Sequence, residues 1–158
     1  MKNFGLKIYW FLFPAAILVC IDEYIKAFAL RNFPDENTLT DRNFINLALH
    51  KNWGLSFDIP FRREFILLIS VFIGYFLVKI AVQNFKQHPK LSFASMLILT
   101  GAIGNLYDRI VYGFTVDYLI FFGRTAINIS DILIVYGVVL LLLASRQQKT
   151  DHEFHSHE

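Results

Sequence analysis

Four long apolar runs separated by polar stretches set the pattern of this chain. The first starts after Lys7: Ile8 to Ile21 is apolar and aromatic, Asp22, Glu23 and Lys26 interrupt it, and Ala27 to Leu30 resumes it. Read as one helix over 8–30, it reaches about 34 Å, enough to cross a hydrocarbon core. A second run covers 65–82, with Lys79 near its end able to snorkel to an interface. The third, 91–107, is only about 26 Å long and barely crosses, so Asp108 and Arg109 are expected to emerge at the far interface. The fourth, 126–144, carries Asn128 and Asp131 in its opening turns.

The longest polar interval, 31–64, separates the first two runs. Asn32 to Asn37 has turn chemistry, Phe44 to Leu49 has strand character, Lys51 to Gly54 reads as a turn, and Leu55 to Ile59 as a second short strand. The pattern predicts a mainly α membrane protein. Four transmembrane helices and a small extramembrane β-sheet between helices 1 and 2 form a single domain over 1–145. A polar tail, 146–158, follows.

Composition agrees with a membrane protein. Hydrophobic residues make up 55% and charged ones 18%, against ~25% charged in soluble domains, and the mean hydropathy is +0.45. Lys2 and Lys7 ahead of an apolar run have the look of a secretory signal, and Cys20 hints at a lipobox. Val19 stands where a small residue is needed, however, and no A-x-A site follows, so the run is read as a retained helix. A net charge of +2 gives no footprint for nucleic acid. The lone Cys20 supplies neither a disulfide framework nor a Cys-based metal site and is read as a small buried hydrophobe. The His-bearing end, Asp151 to Glu158, reads as a solvated tail; no metal or other cofactor is expected. Four spans place both termini on one side, but Lys and Arg divide evenly between the two sides, so charge bias does not set the orientation.

The candidate chemistry lies between Thr100 and Asp131. Asn105, Asp108 and Arg109 share a face at the end of the third helix, Asn128 and Asp131 share one at the start of the fourth, and Asp117 lies in the connection. An up-down bundle gathers these ends into a polar pocket roofed by 111–126. Two carboxylates facing each other there cannot both ionise cheaply, so the pair holds one proton, the working state of an aspartic protease. Asn and Arg side chains nearby can orient a substrate backbone or steady developing charge. An interfacial salt-bridge network around Arg109 and a proton or ion pathway are the other readings, and the spacing does not choose between Asp108 and Asp117. Asp22 and Lys26, four apart, form an interfacial ion pair or a brace for the polar site. Gly101, Ala102 and Gly104 suit close helix approach.

At these residues the chain resembles the lipoprotein signal peptidases (signal peptidase II), four-helix aspartic peptidases of the bacterial inner membrane. Gly101 to Arg109 resembles the family's G-G-x-x-G-N-x-x-D-R, Val116-Asp117-Tyr118 its V-V-D-F, and Asn128 to Asp131 its N-x-A-D. Lys51 to Phe57 resembles R-N-x-G-A-A-F, and Asp22 with Lys26 matches D-Q-x-x-K. The motifs come in family order over roughly 15–145. The resemblance implies that Asp117 and Asp131 are the catalytic pair. Asn52, Asn105, Arg109 and Asn128 then line the pocket, with Asp22, Lys26, Asp108 and Gly54 in support. It implies cleavage of a prolipoprotein before its diacylglyceryl-modified Cys, without a metal, with membrane lipid and no nucleic acid as partners. It further implies a cradle-like periplasmic sheet domain over 31–64, an active site at the periplasmic face and cytoplasmic termini.

The chain also departs from the family pattern. Glu23 replaces the usual Gln, Thr100 the first Gly, and Ser56 and Ser130 replace Ala. The Asp117–Asp131 interval is short and lacks a Trp/Pro-rich segment, which predicts a changed roof, and Ser130 is expected to hydrogen-bond to Asp131. Alternatives are a paralogue of altered specificity, a non-catalytic lipoprotein-binding relative, and a small proton-coupled carrier.

Overall fold

A computed structural model of the chain describes residues 8–36, 44–54 and 62–155. A 3-10 turn, Ile8–Phe11, runs into helix α1 (Leu12–Asn32). Strand β1 (Ile45–Asn52), helices α2 (Arg63–Asn84) and α3 (Pro89–Val111), strands β2 (Thr115–Phe121) and β3 (Thr125–Ile127) and helix α4 (Ile129–His155) follow.

Helix α3 is the central post. It buries residues along its whole length, from Leu91 to Asp108, whereas α1 buries only Ala15, Asp22, Lys26 and Ala29, and α2 only Ile66, Leu77 and Ala81. Pro89 suits its first turn, where an N–H has no helical partner. Its hydroxyls are satisfied internally: Ser95 Oγ donates to the Leu91 carbonyl at 3.0 Å, Thr100 Oγ1 to Met96 at 2.8 Å, and Ser92 Oγ across to Ala81 of α2 at 2.8 Å. Ala15, Phe93, Leu97 and Leu133 form an apolar core between α1, α3 and α4.

The outward faces are apolar. Trp10 ahead of α1 and Phe13 on it, Leu68, Val71 and Phe72 on α2, and Val135, Val139 and Leu142 on α4 are exposed, the inverse of a water-soluble bundle. Ile8–Asn32, Arg63–Asn84 and Ile129–Gln147 are each long and apolar enough to cross a membrane, with mean hydropathies of 1.6, 2.5 and 2.0. Cys20, expected to be buried, is exposed on the outer side of α1. Helix α3 does not stop at Tyr107 but runs to Val111, so Asp108, expected at an interface, is fully buried. The backbone of α4 stays helical through His155, past its apolar run.

The sheet differs from the expected one. It is antiparallel in the order β1-β2-β3, and among the described residues only β1 comes from the interval between α1 and α2. The other two strands come from the segment read as a roof, and the expected strand at Leu55 to Ile59 lies outside the described residues. Thr115 to Phe121 is β-branched and aromatic enough for a strand, and Gly123, at φ +62°, supplies the left-handed turn to β3. Lys51 and Asn52, read as a turn, instead end β1 opposite Val116 and Thr115. A register shift between Leu47 and His50 interrupts the β1–β2 ladder there, where the Leu49 N–H donates to the Pro34 carbonyl at 2.8 Å.

Helices α3 and α4 approach so closely that Gly101 has no room for a side chain. An added Cβ would lie 2.6 Å from the Ser130 carbonyl oxygen and 3.0 Å from Ile134 Cγ1. Helix propensity alone would make Gly→Ala favourable by ~1 kcal/mol. A clash with fixed backbone outweighs it, since overpacking costs ~1–3 kcal/mol. Gly101→Ala is therefore expected to lower the melting temperature in detergent by about 3 °C or more. Gly74→Ala, whose nearest neighbour would be Leu99 Cδ2 at 3.9 Å, is expected to leave it unchanged or raise it. Equal melting temperatures for the two would contradict the close packing.

Candidate active site

The sheet delivers Asp117. In the β1–β2 ladder Asp117 faces His50, so Asn52, two residues further along β1, lies diagonally on the same face. Asn52 Nδ2 donates to Asp117 Oδ2 at 3.1 Å, and its own Oδ1 accepts the Gly54 N–H at 3.1 Å in an Asx turn. Asp117 is 1% exposed. Its other oxygen accepts Asn128 Nδ2 at 2.7 Å.

The start of α4 delivers Asp131. The sequence Asn128-Ile129-Ser130-Asp131 folds as a reciprocal capping box. Asn128 Oδ1 accepts the Asp131 N–H at 2.8 Å, and Asp131 Oδ2 accepts the Asn128 N–H at 3.2 Å. Asn128 thus precedes the helix as its N-cap, and 125–127 form β3 where the fourth run was expected to begin. The remaining oxygen, Asp131 Oδ1, accepts Asn105 Nδ2 from α3 at 2.7 Å. Asn128 Nδ2 also reaches Asn105 Oδ1 at 3.1 Å. One asparagine side chain therefore touches both Asp117 and the backbone of Asp131.

Behind this layer stands Lys26, fully buried. Its Nζ lies 2.9 Å from Asp108 Oδ2, 3.0 Å from Asp22 Oδ2, 3.0 Å from Glu23 Oε1 and 3.3 Å from Asn105 Oδ1. Asp108 Oδ2 also accepts the Val116 N–H at 3.1 Å. Asp22 Oδ1 accepts Tyr118 Oη at 2.7 Å and the Ile129 N–H at 3.0 Å. Asp22 Oδ2 accepts Ser130 Oγ at 2.6 Å and the Ser130 N–H at 3.2 Å. The Ser130 hydroxyl, expected on Asp131, points the other way.

Electrostatics follow from burial. Burial and the nearby Asp131 carboxylate push the Asp117 carboxyl up to about 7, against weaker lowering by the Asn52 and Asn128 donors and by His50. Burial and the bond to Asp22 raise the Tyr118 phenol, so it is a donor at any physiological pH. A cavity of about 310 Å³ opens between α2, α3 and α4. Ile66, Ile73, Leu77 and Val135 are among its apolar lining; Asn52, Asn105, Arg109 and Asp131 are polar members of it. Arg109 is held there by bonds to the Asn105 carbonyl at 3.2 Å and the Gly54 carbonyl at 3.1 Å.

All ten residues singled out in the sequence fall in one connected region. Asn52, Asn105, Arg109 and Asp131 line the cavity, whereas Asp117 lies behind Asn52 and Asn128. Asp22, Lys26 and Asp108 form the layer beneath. Asp108 is bound by Lys26 and the strand backbone, whereas Asp117 and Asp131 are both bound by Asn128, a difference the spacing alone did not give. Tyr118 was missed as a member of the network, and Ser130 was given Asp131 as its partner in place of Asp22. Their signal was position, since each is the immediate neighbour of one of the aspartates.

Paired carboxylates joined through asparagines, at the polar end of an apolar cavity among helices with greasy outer faces, define a membrane protein equipped for acid–base chemistry. Known proteins give that class its family. The sequence profile described as Signal peptidase (SPase) II matches residues 14–147. A lipoprotein signal peptidase of Cupriavidus necator is 32% identical over 152 residues, covering 90% of this chain and 86% of its own. One from Shewanella baltica is 30% identical over 150 residues, covering 89% and 86%. Two solved bacterial membrane enzymes share the fold at 22% identity. One gives a TM-score of 0.72 over 96% of this chain and 92% of its own, the other 0.64 over 91% and 93%. The chain belongs to the signal peptidase II family and is a bacterial membrane peptidase.

A raised carboxyl links stability to pH. Between the unfolded value of ~3.9 and the folded value the native state holds a proton that the unfolded chain has lost, so stability falls as pH rises through that window. With Asp117 pushed up to about 7, the melting temperature of the parent relative to Asp117→Asn is expected to fall between pH 4 and pH 7 and to level off above it. A parallel pair of curves would show that Asp117 titrates like a solvated carboxyl.

Proposed function

We propose that this chain is an aspartic endopeptidase that removes the signal peptide from diacylglyceryl-modified prolipoproteins by cutting before the lipidated Cys. The observation that carries the reading is the convergence of Asp117 and Asp131 on Asn128, with Asp131 at the polar end of the apolar cavity. Asp117 and Asp131 share one proton near neutral pH. The proton rests on Asp117, and Asp131, at a helix N-terminus that favours negative charge, takes the base role. Asp131 accepts a proton from a water that attacks the scissile carbonyl carbon, while Asp117 gives its proton to the carbonyl oxygen. The tetrahedral intermediate then collapses, and the leaving amine takes a proton from the pair. Asn52, Asn105, Asn128 and Arg109 orient the peptide and steady the oxyanion. Substrate must displace the Asn52 side chain to reach both carboxylates. Asp22, Lys26, Asp108 and Gly54 hold this machinery in place.

The apolar cavity wall between α2, α3 and α4 suits a signal peptide and acyl chains arriving from the bilayer. Helix α3, 23 residues long, serves as the fourth span, its polar side chains tolerated because its neighbours cover them. With four spans both termini lie on one side. The family resemblance supports cytoplasmic termini and a site at the periplasmic face of the inner membrane. The short β2–β3 hairpin supports a second reading, a narrower substrate range than that of other members. The acidic groups gather at one end of the bundle, which disfavours a proton carrier.

Purified full-length protein is expected to cleave a diacylglyceryl prolipoprotein before its lipidated Cys. Asp117→Asn and Asp131→Asn are each expected to lower kcat by about 10³-fold or more while inserting and melting as folded proteins. Mass spectrometry of the products checks the bond that is cut. Turnover by either variant at the parent rate would defeat the aspartic reading. Failure on one prolipoprotein with turnover of another would favour the narrower range.

A further inference from the structure

The Asp22 carboxylate grips the immediate neighbours of both aspartates. Tyr118 follows Asp117 on β2, and Ser130 precedes Asp131 on α4. The two hydroxyls converge on Asp22 from opposite sides, Tyr118 Oη on Oδ1 at 2.7 Å and Ser130 Oγ on Oδ2 at 2.6 Å. Asp22, Tyr118 and Ser130 are all buried. The contact has been given room, because a Cβ on Gly104 would lie 2.5 Å from Ser130 Oγ.

Donor supply explains why hydroxyls are needed. Lys26 carries three N–H donors but faces four acceptors within 3.3 Å: Asp22, Glu23, Asp108 and Asn105. Glu23, a carboxyl where the family motif has a Gln amide, takes one of these donors. A buried carboxylate that shares its cation with other acceptors requires further donors, or it bears a large desolvation cost. Tyr118 and Ser130 supply them, at two positions where the family motifs quoted above have Phe and Ala.

We propose that Tyr118 and Ser130 are positioning residues for the peptidase reaction: through Asp22 they fix the separation of Asp117 and Asp131, standing in for the share of Lys26 that Glu23 draws away. The inference rests on the aspartic reading above. Neither residue lines the cavity; each acts through Asp22. Tyr118 Oη is the side-chain link from β2 to Asp22. On the α4 side, by contrast, the Ile129 and Ser130 N–H groups would remain after loss of the Ser130 hydroxyl. The two hydroxyls therefore do not count equally.

The test uses the full chain in detergent or nanodiscs with a diacylglyceryl prolipoprotein. Tyr118→Phe is expected to lower kcat about tenfold with KM within about twofold, as a small misplacement of reacting groups does. Ser130→Ala is expected to lower kcat about threefold. Adding Glu23→Gln to the Tyr118→Phe/Ser130→Ala protein is expected to restore kcat to within about threefold of the parent, because an amide competes less than a carboxyl for the ammonium that Asp22 already binds at 3.0 Å. A merely structural hydroxyl would lower melting temperature without this rescue.

A second measurement does not depend on turnover. Infrared titration follows the Asp117 carboxyl band, identified by its loss in Asp117→Asn. The titratable and charged groups around Asp117 are Asp131 from α4, His50 from β1 and Arg109 from α3. If the clamp sets the Asp117–Asp131 separation, the Tyr118→Phe/Ser130→Ala protein titrates lower than the parent by about half a unit or more, and Glu23→Gln reverses the shift. Parent kcat in both single variants, no recovery with Glu23→Gln, or an unmoved titration would each overturn the proposal. A parent that cuts nothing defeats the aspartic reading, and the titration then still decides the clamp.

Discussion

The buried ammonium group of Lys26 is the point on which the polar end of this bundle depends. It lies within 3.0 Å of carboxylate oxygens from Asp22, Glu23 and Asp108 and reaches Asn105 as well. Each of those partners leads outward to something the site uses. Asp108 binds the backbone of Val116, Asp22 binds the opening turn of α4, and Asn105 binds Asp131. Losing one member of a buried ion pair typically costs ~3–5 kcal/mol, because its partners remain buried and uncompensated. Here one cation offsets two fully buried carboxylates and one partly buried one, so the arrangement holds only while the backbone and hydroxyl donors around it stay in place. The same donors tie the connection between α3 and α4 to Asp108 and Asp22.

The start of α4 serves the fold and, in the proposed reaction, the chemistry. A helix must satisfy its first N–H groups, and this one does so with Asn128, Asp131 and Asp22. The capping box that starts the helix also sets the rotamer of Asp131 and aims the Asn128 amide at Asp117. The close contact of Gly101 with the Ser130 carbonyl fixes where that helix begins relative to α3. The site thus stands on a helix terminus and a strand rather than on free loops, which suits reacting groups that tolerate little displacement.

The helices and most of the site were legible in the sequence. Apolar runs marked α1, α2 and α4, and the polar residues of α3 were spaced to share a face. The shape of the sheet was not legible. Thr115 to Phe121 has strand composition, but its charged Asp117 drew attention to chemistry, and its partner β1 lies more than sixty residues earlier, at a distance no local pattern reports. Asp108 was misplaced because the third run was measured by hydropathy alone. A helix end can stay buried when Lys26 neutralises it, and that pairing spans α1 and α3. Asn128 to Asp131 carried a readable capping signal, but sharing a helix face hid the more specific reciprocal bond. Ser130 was assigned to its sequence neighbour, whereas helix geometry turns its hydroxyl toward Asp22.

The most direct test is a structure of the protein with a peptide-like inhibitor whose hydroxyl mimics the tetrahedral intermediate. The hydroxyl is expected within about 3 Å of carboxylate oxygens from both Asp117 and Asp131, with Asn52 displaced and Asp108 still on Lys26. A hydroxyl bound by Asp108, or by one aspartate with the other remote, would contradict the account.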